Sequence, residues 1–184
     1  MNTQPCLLLV DVQSAFDDGD YWGPRNNPDA EQQIAVLLAF AREQQWPVVH
    51  VRHASLTPGS PLQQALPGFA FKPEAAPIAG EPVYTKHVNS GFIGTTLEQD
   101  LRRDGIEQLV VAGLTTDHCV STTVRMAANL GFDVRLVADA CATHDRTDLQ
   151  GQACPAAVVH RLHLASLNGE FCEVINTEAV VNSR

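Results

Sequence analysis

Six short apolar runs recur along the chain, and segments with helical spacing separate most of them. The first run, Cys6-Leu7-Leu8-Leu9-Val10, is continuous rather than alternating, which is typical of strands buried on both faces of a parallel sheet. The other runs span 47–51, 82–85, 108–112, 133–138 and 171–175, and helices are predicted over 29–45, 95–104, 117–130 and 155–168. This alternation predicts a parallel sheet covered by helices on both faces.

The length and composition favour one folded domain spanning residues 1–184. A chain of 184 residues with 45% hydrophobic and 18% charged residues has enough apolar surface for a single core. No composition shift or repeat marks a second domain. Segment 54–80 breaks the alternation because it is rich in proline and glycine. It is predicted to be a long ordered loop of the kind that often covers a site.

The charge balance argues against several classes of partner. Twelve Lys and Arg against twenty-one Asp and Glu give a net charge of −9, so phosphate backbones and anionic membranes would be repelled. No apolar stretch approaches the roughly 18 residues of a membrane span, and the N-terminus lacks a basic region typical of a signal peptide. We therefore expect a cytoplasmic protein with a small-molecule substrate and with neither nucleic acid nor membrane as a partner.

The chain has five cysteines, an odd number with no C-x-x-C pair and no short metal-ligand spacing. They are expected to be free thiols in a reducing compartment. Four of them are explained by packing, since a reduced cysteine behaves as a small buried apolar residue. The fifth, Cys119, follows the fourth predicted strand after a polar turn and is a candidate for a reactive thiol.

Ligands of open parallel sheets bind beyond the carboxyl ends of the strands, where three chemically capable residues occur. Asp11 ends the first strand, Lys86 follows the third, and Cys119 follows the fourth. With Asp117 or Thr116 as N-cap, Cys119 would lie in the first turn of a helix, where a thiolate is stabilised. An ammonium between a carboxylate and a thiol is expected to lower the pKa of both. The alternative is structural: Asp11 caps a loop, Lys86 is solvated and Cys119 is buried filler.

Five segments occur in order along most of the chain: Leu9-Val10-Asp11-Val12-Gln13-Ser14-Ala15-Phe16, Lys86-His87-Val88-Asn89-Ser90-Gly91-Phe92, Ala112-Gly113-Leu114-Thr115-Thr116-Asp117-His118-Cys119-Val120, Gly131-Phe132-Asp133-Val134 and Asp139-Ala140-Cys141-Ala142-Thr143. Together they resemble the isochorismatase-like cysteine hydrolases, which include nicotinamidases, N-carbamoylsarcosine amidohydrolases and ureidoacrylate amidohydrolases. The resemblance implies a three-layer α/β/α fold with a six-stranded, mainly parallel sheet.

The resemblance also implies a catalytic triad of Asp11, Lys86 and Cys119. In such enzymes the cysteine attacks an amide or related C–N carbonyl, an acyl-enzyme forms, and water releases it. Asp11 would be the acid and base, and Lys86 its electrostatic partner. A cis peptide bond is implied at Leu114–Thr115, with the backbone N–H groups of Thr115 and Cys119 forming an oxyanion hole.

One departure from the family pattern concerns metals. Nicotinamidases bind a metal through an Asp and two His residues after the second strand, whereas here Val48-Val49-His50-Val51-Arg52-His53 is followed by Ala54-Ser55. We therefore expect no metal and no cofactor, and no nicotinamidase activity. Isochorismate hydrolysis does not use the cysteine route, so Cys119 favours the amidohydrolase branch.

Substrate-binding residues are predicted from position alone. They are the aromatic residues after the first strand and the residues flanking Lys86 and Cys119, namely Phe16, Trp22, Asn89, Phe92 and His118. Aromatic walls suit a small planar amide. The alternative for Phe16 and Trp22 is a place in the core or in a dimer interface, because the resemblance implies a homo-oligomer, a dimer or a tetramer.

Two functional hypotheses remain open on the sequence. The first is a cysteine hydrolase that cleaves a C–N bond of a small amide, ureide or carbamoyl compound. The second is a non-catalytic or vestigial member that binds a small ligand or serves as an oligomeric scaffold. They differ in whether Cys119 is reactive. A nucleotide-binding protein is disfavoured because no G-x-G-x-x-G or phosphate-binding loop follows a strand.

Overall fold

The computed structural model describes residues 4–182 and contains a six-stranded sheet in which every neighbouring pair is parallel. Its strands are β1 (Cys6–Val10), β2 (Val48–His53), β3 (Val83–Lys86), β4 (Gln108–Leu114), β5 (Asp133–Ala142) and β8 (Glu173–Ile175). Their order across the sheet is β3-β2-β1-β4-β5-β8. The predicted α/β fold with a six-stranded parallel sheet is confirmed.

Helices cover both faces of this sheet. The principal helices are α2 (Ala30–Glu43), α3 (Leu97–Arg103), α4 (Ser121–Asn129) and α5 (Ala156–Leu167), and the short ones are α1 (Gly19–Trp22) and α6 (Thr177–Val181). Within residues 4–182, no helix is both long enough and apolar enough to pass through a membrane.

Alternate side chains of β1 enter two separate cores, as the two-residue period of a strand requires. Leu8 packs in a cluster with residues of α3 and α4, whereas Leu7 and Leu9 pack with residues of α2 and α6. Every side chain of β1 is buried. The continuous apolar character of the run is explained by helices on both sides.

Several boundaries differ from those predicted. The strands predicted at 108–112 and 133–138 extend to Leu114 and Ala142, with an irregular register between Val111 and Gly113. The helix predicted at 117–130 is a π-turn (Thr116–Val120) followed by α4. A two-stranded antiparallel ribbon, β6 (Arg146–Thr147) and β7 (Ala153–Cys154), was not predicted, since two-residue strands have no periodicity.

Near the C-terminus, Val180 lies in α6, where it is buried in the core cluster of α2. Residues 183 and 184 lie outside the described residues. Helix α6 is five residues long, too short for a helical pattern to be recognised.

Gly113 fixes the close approach of the two central strands at the carboxyl edge. It pairs with Val10 in the register of β1 and β4, and its φ is +136°. A Cβ atom at Gly113 would lie 1.9 Å from the carbonyl oxygen of Val10, so only glycine fits. The residue after Val10 and the turn after β4 are therefore held close together.

Candidate active site

The structure brings Asp11, Lys86 and Cys119 together at the carboxyl edge of the sheet. Lys86 Nζ lies 2.6 Å from Asp11 Oδ2 and 3.3 Å from Cys119 Sγ. All three residues are buried. The alternative in which Lys86 is a solvated surface residue is wrong, because its side chain is fully enclosed.

The backbone at Asp11 redirects its side chain at the end of β1. Its φ is +52°, a left-handed conformation that Asp tolerates better than most residues. The Asp11 N–H still donates to the carbonyl of Val51, while its carbonyl accepts from the N–H of Gln13. Asp11 Oδ2 accepts from Lys86, and Oδ1 has no hydrogen-bond partner among residues 4–182. One buried carboxylate oxygen is therefore available to take a proton.

His53, at the end of β2, is a fourth member of this group that the sequence did not single out. Its Nδ1 lies 3.0 Å from Lys86 Nζ, so the three N–H bonds of the ammonium are taken by Asp11, His53 and Cys119. Burial and the charge of Lys86 lower the pKa of His53, which keeps the ring neutral and its Nδ1 an acceptor. Its place at the end of a strand, the rule that singled out Asp11 and Lys86, was the signal that could have identified it.

Gln13 holds His53 in place through its side-chain amide. Its Oε1 accepts from the N–H of His53 at 2.8 Å, and its Nε2 donates to the carbonyl of His53 at 3.1 Å. The same Nε2 donates to the carbonyl of Phe69 in the long loop. One buried side chain thus ties the segment after β1, the end of β2 and the loop together.

The resting state of Cys119 differs from the expectation of a promoted thiolate. Burial raises the pKa of the Cys119 thiol, and the negative charge of Asp11 raises it further. The ammonium of Lys86 acts in the opposite direction and does not outweigh them. The expectation that Lys86 and the helix would favour a resting thiolate is therefore wrong, because burial dominates. The free protein holds a protonated thiol next to a carboxylate.

The turn that carries Cys119 begins after a cis peptide bond between Leu114 and Thr115, as the resemblance implied. The carbonyl of Thr115 accepts from the N–H groups of His118 and Val120, both at 3.2 Å. Within residues 4–182, no hydrogen bond is donated by the N–H of Thr115. This N–H group is therefore available to a ligand beside Cys119.

Asp117 does not cap the helix. Its buried carboxylate binds Arg146, with Oδ2 2.7 Å from Nε and Oδ1 3.1 Å from Nη2, and it also accepts from the hydroxyl of Thr143. Neither Asp117 nor Thr116 is the N-cap, since Thr115 precedes the helical segment without a side-chain cap. Asp117 instead ties the Cys119 turn to the end of β5 and to β6.

A cavity of about 190 Å³ opens above Cys119. Four of the predicted substrate-binding residues lie in its wall, together with residues of the long loop and Tyr21; the full lining is Phe16, Tyr21, Trp22, His53, Ser55, Thr57, Ser60, Leu62, Asn89, Thr115, His118 and Cys119. The predicted loop therefore forms part of a site wall. Ser55, Thr57, Ser60 and Leu62 were missed because loop contacts leave no periodic signal.

Phe92 does not reach this cavity. Its ring packs against Phe132 with centroids 5.9 Å apart, and it belongs to the core cluster of α3 and α4. The N–H of the preceding Gly91 donates to Thr123 Oγ1, which draws the segment toward α4. The expected substrate contact at Phe92 is corrected to a core position.

One wall of the cavity is a stack of rings. Phe16 and Trp22 have centroids 5.0 Å apart, and His144 stacks on Trp22 at 5.7 Å. The indole Nε1 of Trp22 donates to the carbonyl of Ala15 at 2.8 Å, which leaves only the apolar ring face for a ligand. Phe16 also packs in the core, so the cavity-wall and core interpretations both hold for it.

Asp11, His53 and Cys119 each offer a metal-ligand atom, and these atoms lie within 4.8 Å of one another. However, Lys86 Nζ lies between them, at 2.6 to 3.3 Å from each residue. A metal ion in this position would be repelled by the ammonium group of Lys86, which already occupies the space between the three ligand atoms. The donor set fits the lysine cation and does not fit a divalent metal.

Comparison with known proteins gives a family match over most of the chain. The family model "Isochorismatase domain" matches residues 5–179. The isochorismatase family protein YrdC of Bacillus subtilis is 43% identical over 182 residues, covering 99% of this chain and 97% of that protein. The maleamate amidohydrolase of Pseudomonas putida is 30% identical over 152 residues, covering 70% of this chain and 68% of that protein.

Among solved structures, an isochorismatase-family protein from Chromobacterium violaceum matches with a TM-score of 0.93 at 49% identity, covering 97% of this chain and 92% of that chain. The family model and the relatives each span most of the sequence. The chain therefore belongs to the isochorismatase family.

Proposed function

We propose that the protein is a cysteine-dependent hydrolase that cleaves a C–N bond of a small amide, ureide or carbamoyl compound. The observation that carries this proposal is the position of Lys86 Nζ, within 3.3 Å of both the Asp11 carboxylate and Cys119 Sγ at the base of a cavity. A nucleophile, a proton acceptor and a fixed positive charge are the parts that acyl transfer requires. The relative from Pseudomonas putida, named an amidohydrolase, supports the same reaction class.

In the first step, Cys119 Sγ attacks the substrate carbonyl while its proton passes to Asp11. The unpartnered Oδ1 of Asp11 is the acceptor, and Lys86 stabilises the charge that moves between carboxylate and sulfur. The tetrahedral intermediate then collapses, the C–N bond breaks, and the proton on Asp11 passes to the leaving nitrogen. For a primary amide the products are a thioester on Cys119 and ammonia.

In the second step, water replaces the amine. Asp11 takes a proton from the water molecule while the oxygen of that water attacks the thioester carbonyl. The C–S bond then breaks. The proton returns to Cys119 Sγ, the carboxylic acid leaves, and the thiol is restored. The sum of the steps is the hydrolysis of one C–N bond by one water, and the scheme uses no cofactor.

The backbone N–H groups of Thr115 and Cys119 are proposed to bind the developing oxyanion. Support comes from Thr115, which lines the cavity and whose N–H makes no hydrogen bond within residues 4–182. Donors placed in advance stabilise the negative charge without reorganising during the reaction. Removing one such donor typically lowers kcat by about 10²–10³-fold.

The substrate is proposed to lie against Phe16 and Trp22 and to contact Asn89 and His118. The cavity of about 190 Å³ is smaller than the roughly 300–1,000 Å³ of pockets that hold drug-sized ligands. A small planar molecule is therefore favoured. We also propose that the protein is cytoplasmic and works as a homo-oligomer, with neither nucleic acid nor membrane as a partner.

The test is to trap the acyl-enzyme. The wild type and Cys119→Ala are incubated with a panel of small amides, ureides and carbamoyl compounds, while ammonia release and intact mass are followed. We expect ammonia from at least one compound and a mass increase equal to its acyl group, located at Cys119 by peptide mapping. Cys119→Ala should show neither. Compounds that bind without turnover or adduct would favour the non-catalytic alternative.

A further inference from the structure

Among residues 4–182, the cavity wall carries no charged side chain that is free to pair with a substrate. Its lining consists of aromatic, hydroxyl, amide and apolar groups, two imidazoles and the Cys119 thiol. No Arg, Lys, Asp or Glu side chain of the described part of the chain belongs to that lining. A ligand carboxylate would therefore lose its hydration without gaining a counter-charge.

The ammonium group of Lys86, at the base of the cavity, already has its hydrogen bonds filled by protein groups. Each of the three N–H bonds of Lys86 has an acceptor, in Asp11, His53 and Cys119. Arg146, in β6, binds Asp117 through two nitrogens. Arg52, at the end of β2, lies over the ring of Phe69 and donates to Thr85. None of these three cationic side chains is therefore available to pair with a ligand in the cavity.

The two imidazoles of the wall do not supply a positive charge either. Burial lowers the pKa of His53, and the charge of Lys86 lowers it further. Partial desolvation of the half-exposed His118 ring also lowers its pKa and outweighs the opposing effect of Asp117. Both rings are therefore neutral hydrogen-bonding groups at neutral pH.

The loop that brings the aromatic wall to the cavity is acidic. Asp17, Asp18 and Asp20 lie beside Phe16, Tyr21 and Trp22, and all three carboxylate residues are exposed. Asp17 is paired with Lys72, whereas Asp18 accepts only from the backbone N–H of Tyr21 among residues 4–182. Together with the net charge of −9, these groups repel anions from this side of the cavity.

A neutral amide, in contrast, finds a matching partner in Asn89. The Asn89 side chain is exposed at the cavity and makes no hydrogen bond within residues 4–182. A carboxamide has both donors and an acceptor and so complements an amide or a urea. We infer, resting on the proposed hydrolase function, that the substrate of this site is an uncharged amide or ureide and that carboxylate-bearing amides are excluded.

Matched compounds test this selectivity. Succinamide is compared with succinamate, and terephthalamide with 4-carbamoylbenzoate, since each pair differs by one charge at nearly constant shape. The binding readout is the concentration that halves the rate of Cys119 alkylation by iodoacetamide in the full-length protein. The neutral member is expected to protect at a concentration at least about tenfold lower than its anionic partner. Equal or stronger protection by the anions, or no protection by any of the four compounds, would overturn the inference.

Ammonia release from the same four compounds separates the two proposals. Preferential protection by the neutral amides without any ammonia would count against the hydrolase function and leave the charge selectivity standing. Release of ammonia at equal efficiency from both members of a pair would support the hydrolase function and count against the charge selectivity.

A variant pair tests the cause of the selectivity. Thr57 is exposed in the cavity wall, so Thr57→Arg places a cation there and Thr57→Gln a neutral chain of comparable reach. Protection by succinamate should improve at least about tenfold with Arg and remain unchanged with Gln. No improvement with Arg would contradict a missing counter-charge as the reason for exclusion.

Discussion

The ammonium nitrogen of Lys86 lies 2.6 Å from Asp11 Oδ2, and both side chains are completely enclosed. Charges at this depth are stable only as a pair, because each one alone would lose its hydration without compensation. The pair therefore couples the stability of the sheet edge to the proposed chemistry of Cys119. It can be examined without knowing the substrate.

A double-mutant cycle of Lys86→Met and Asp11→Asn measures this coupling. Each single variant leaves one buried charged or polar group without its partner and should lower the free energy of unfolding by about 3–5 kcal/mol. Asparagine keeps the left-handed backbone of Asp11 accessible. The double variant should lose at least about 1 kcal/mol less than the sum of the singles, as measured by urea unfolding. Additive losses would show that the two groups do not interact.

Asp11→Asn should separate thiol reactivity from catalysis. Because the charge of Asp11 contributes to the raised pKa of the Cys119 thiol, its removal should lower that pKa and increase the thiolate fraction at neutral pH. Alkylation of Cys119 by iodoacetamide should then be faster than in the wild type, while hydrolysis is lost with the proton acceptor.

Lys86→Met is the matched control, since it removes a charge that lowers the same pKa, and it should slow the alkylation. Peptide mapping distinguishes Cys119 from the four other cysteines. Slower labelling of Asp11→Asn than of the wild type would contradict the assignment of Asp11.

The proximity of Asp11, Lys86 and Cys119 could be predicted because each stands at or just beyond the end of an apolar run, and parallel strands place those ends at one edge. The predicted Asp11, Lys86 and Cys119 do meet there. His53 stands at the end of β2 by the same rule, but its role depends on a side-chain contact with Lys86 that no sequence spacing reveals. The ends of strands can thus be predicted from the sequence, whereas the side-chain contacts between those ends cannot.

Burial was the main property that the sequence could not supply. The Cys119 thiol was expected to ionise easily because of the helix turn and the Lys86 ammonium, yet the surrounding core raises its pKa. Phe92 follows Lys86 closely enough to be expected in the cavity, and packing against Phe132 directs it to the core instead. Both errors arise from tertiary packing that brings together residues distant in the chain.

Arg146→Met should destabilise the turn that carries Cys119. Asp117 is nearly fully buried, and although burial raises its pKa, hydrogen bonds from Arg146 and Thr143 outweigh this effect and lower it. Without Arg146 the buried carboxylate loses its cationic partner and keeps only the Thr143 hydroxyl and the His118 ring beside it, at a cost of about 3 kcal/mol in urea unfolding. Because the same turn positions the nucleophile, kcat should fall more than KM changes.

Arg135→Met is the control for that variant. Arg135 and its partner Glu173 are both largely exposed, 3.4 Å apart, so their pairing contributes less than about 1 kcal/mol. A loss of stability equal to that of Arg146→Met would show that burial of the Asp117 pair does not matter.

Phe92→Leu and Trp22→Ala distinguish the core from the cavity wall. Phe92→Leu removes ring contacts with Phe132 and should lower the free energy of unfolding by about 1–3 kcal/mol, with KM unchanged. Trp22→Ala removes a ring that lines the cavity, and it should raise KM several-fold. Steady-state kinetics and urea unfolding are measured on both variants. A larger KM effect for Phe92→Leu would return that residue to the substrate site.

Glu81 provides a prediction for acid stability, away from the cavity. Its carboxylate accepts from Arg42 at 2.8 and 2.9 Å, from His50 at 2.8 Å and from the N–H of Ile78 at 3.1 Å. Burial alone would raise the pKa of Glu81, but these hydrogen bonds outweigh it and lower the pKa to about 2. A depressed carboxyl pKa stabilises the folded protein above the unfolded pKa, and this contribution disappears as the pH falls through the folded pKa.

The wild type should therefore lose stability between about pH 4.5 and pH 2 as Glu81 takes up a proton. The contribution of this carboxyl group is on the order of 3 kcal/mol. Glu81→Gln should be less stable than the wild type at neutral pH, because the charge-assisted bonds to Arg42 are gone, and its stability should fall less steeply over the acid range. Urea unfolding at a series of pH values measures both effects. Parallel acid profiles for the two proteins would show that Glu81 is not the group responsible, since a glutamine at that position has no proton to gain.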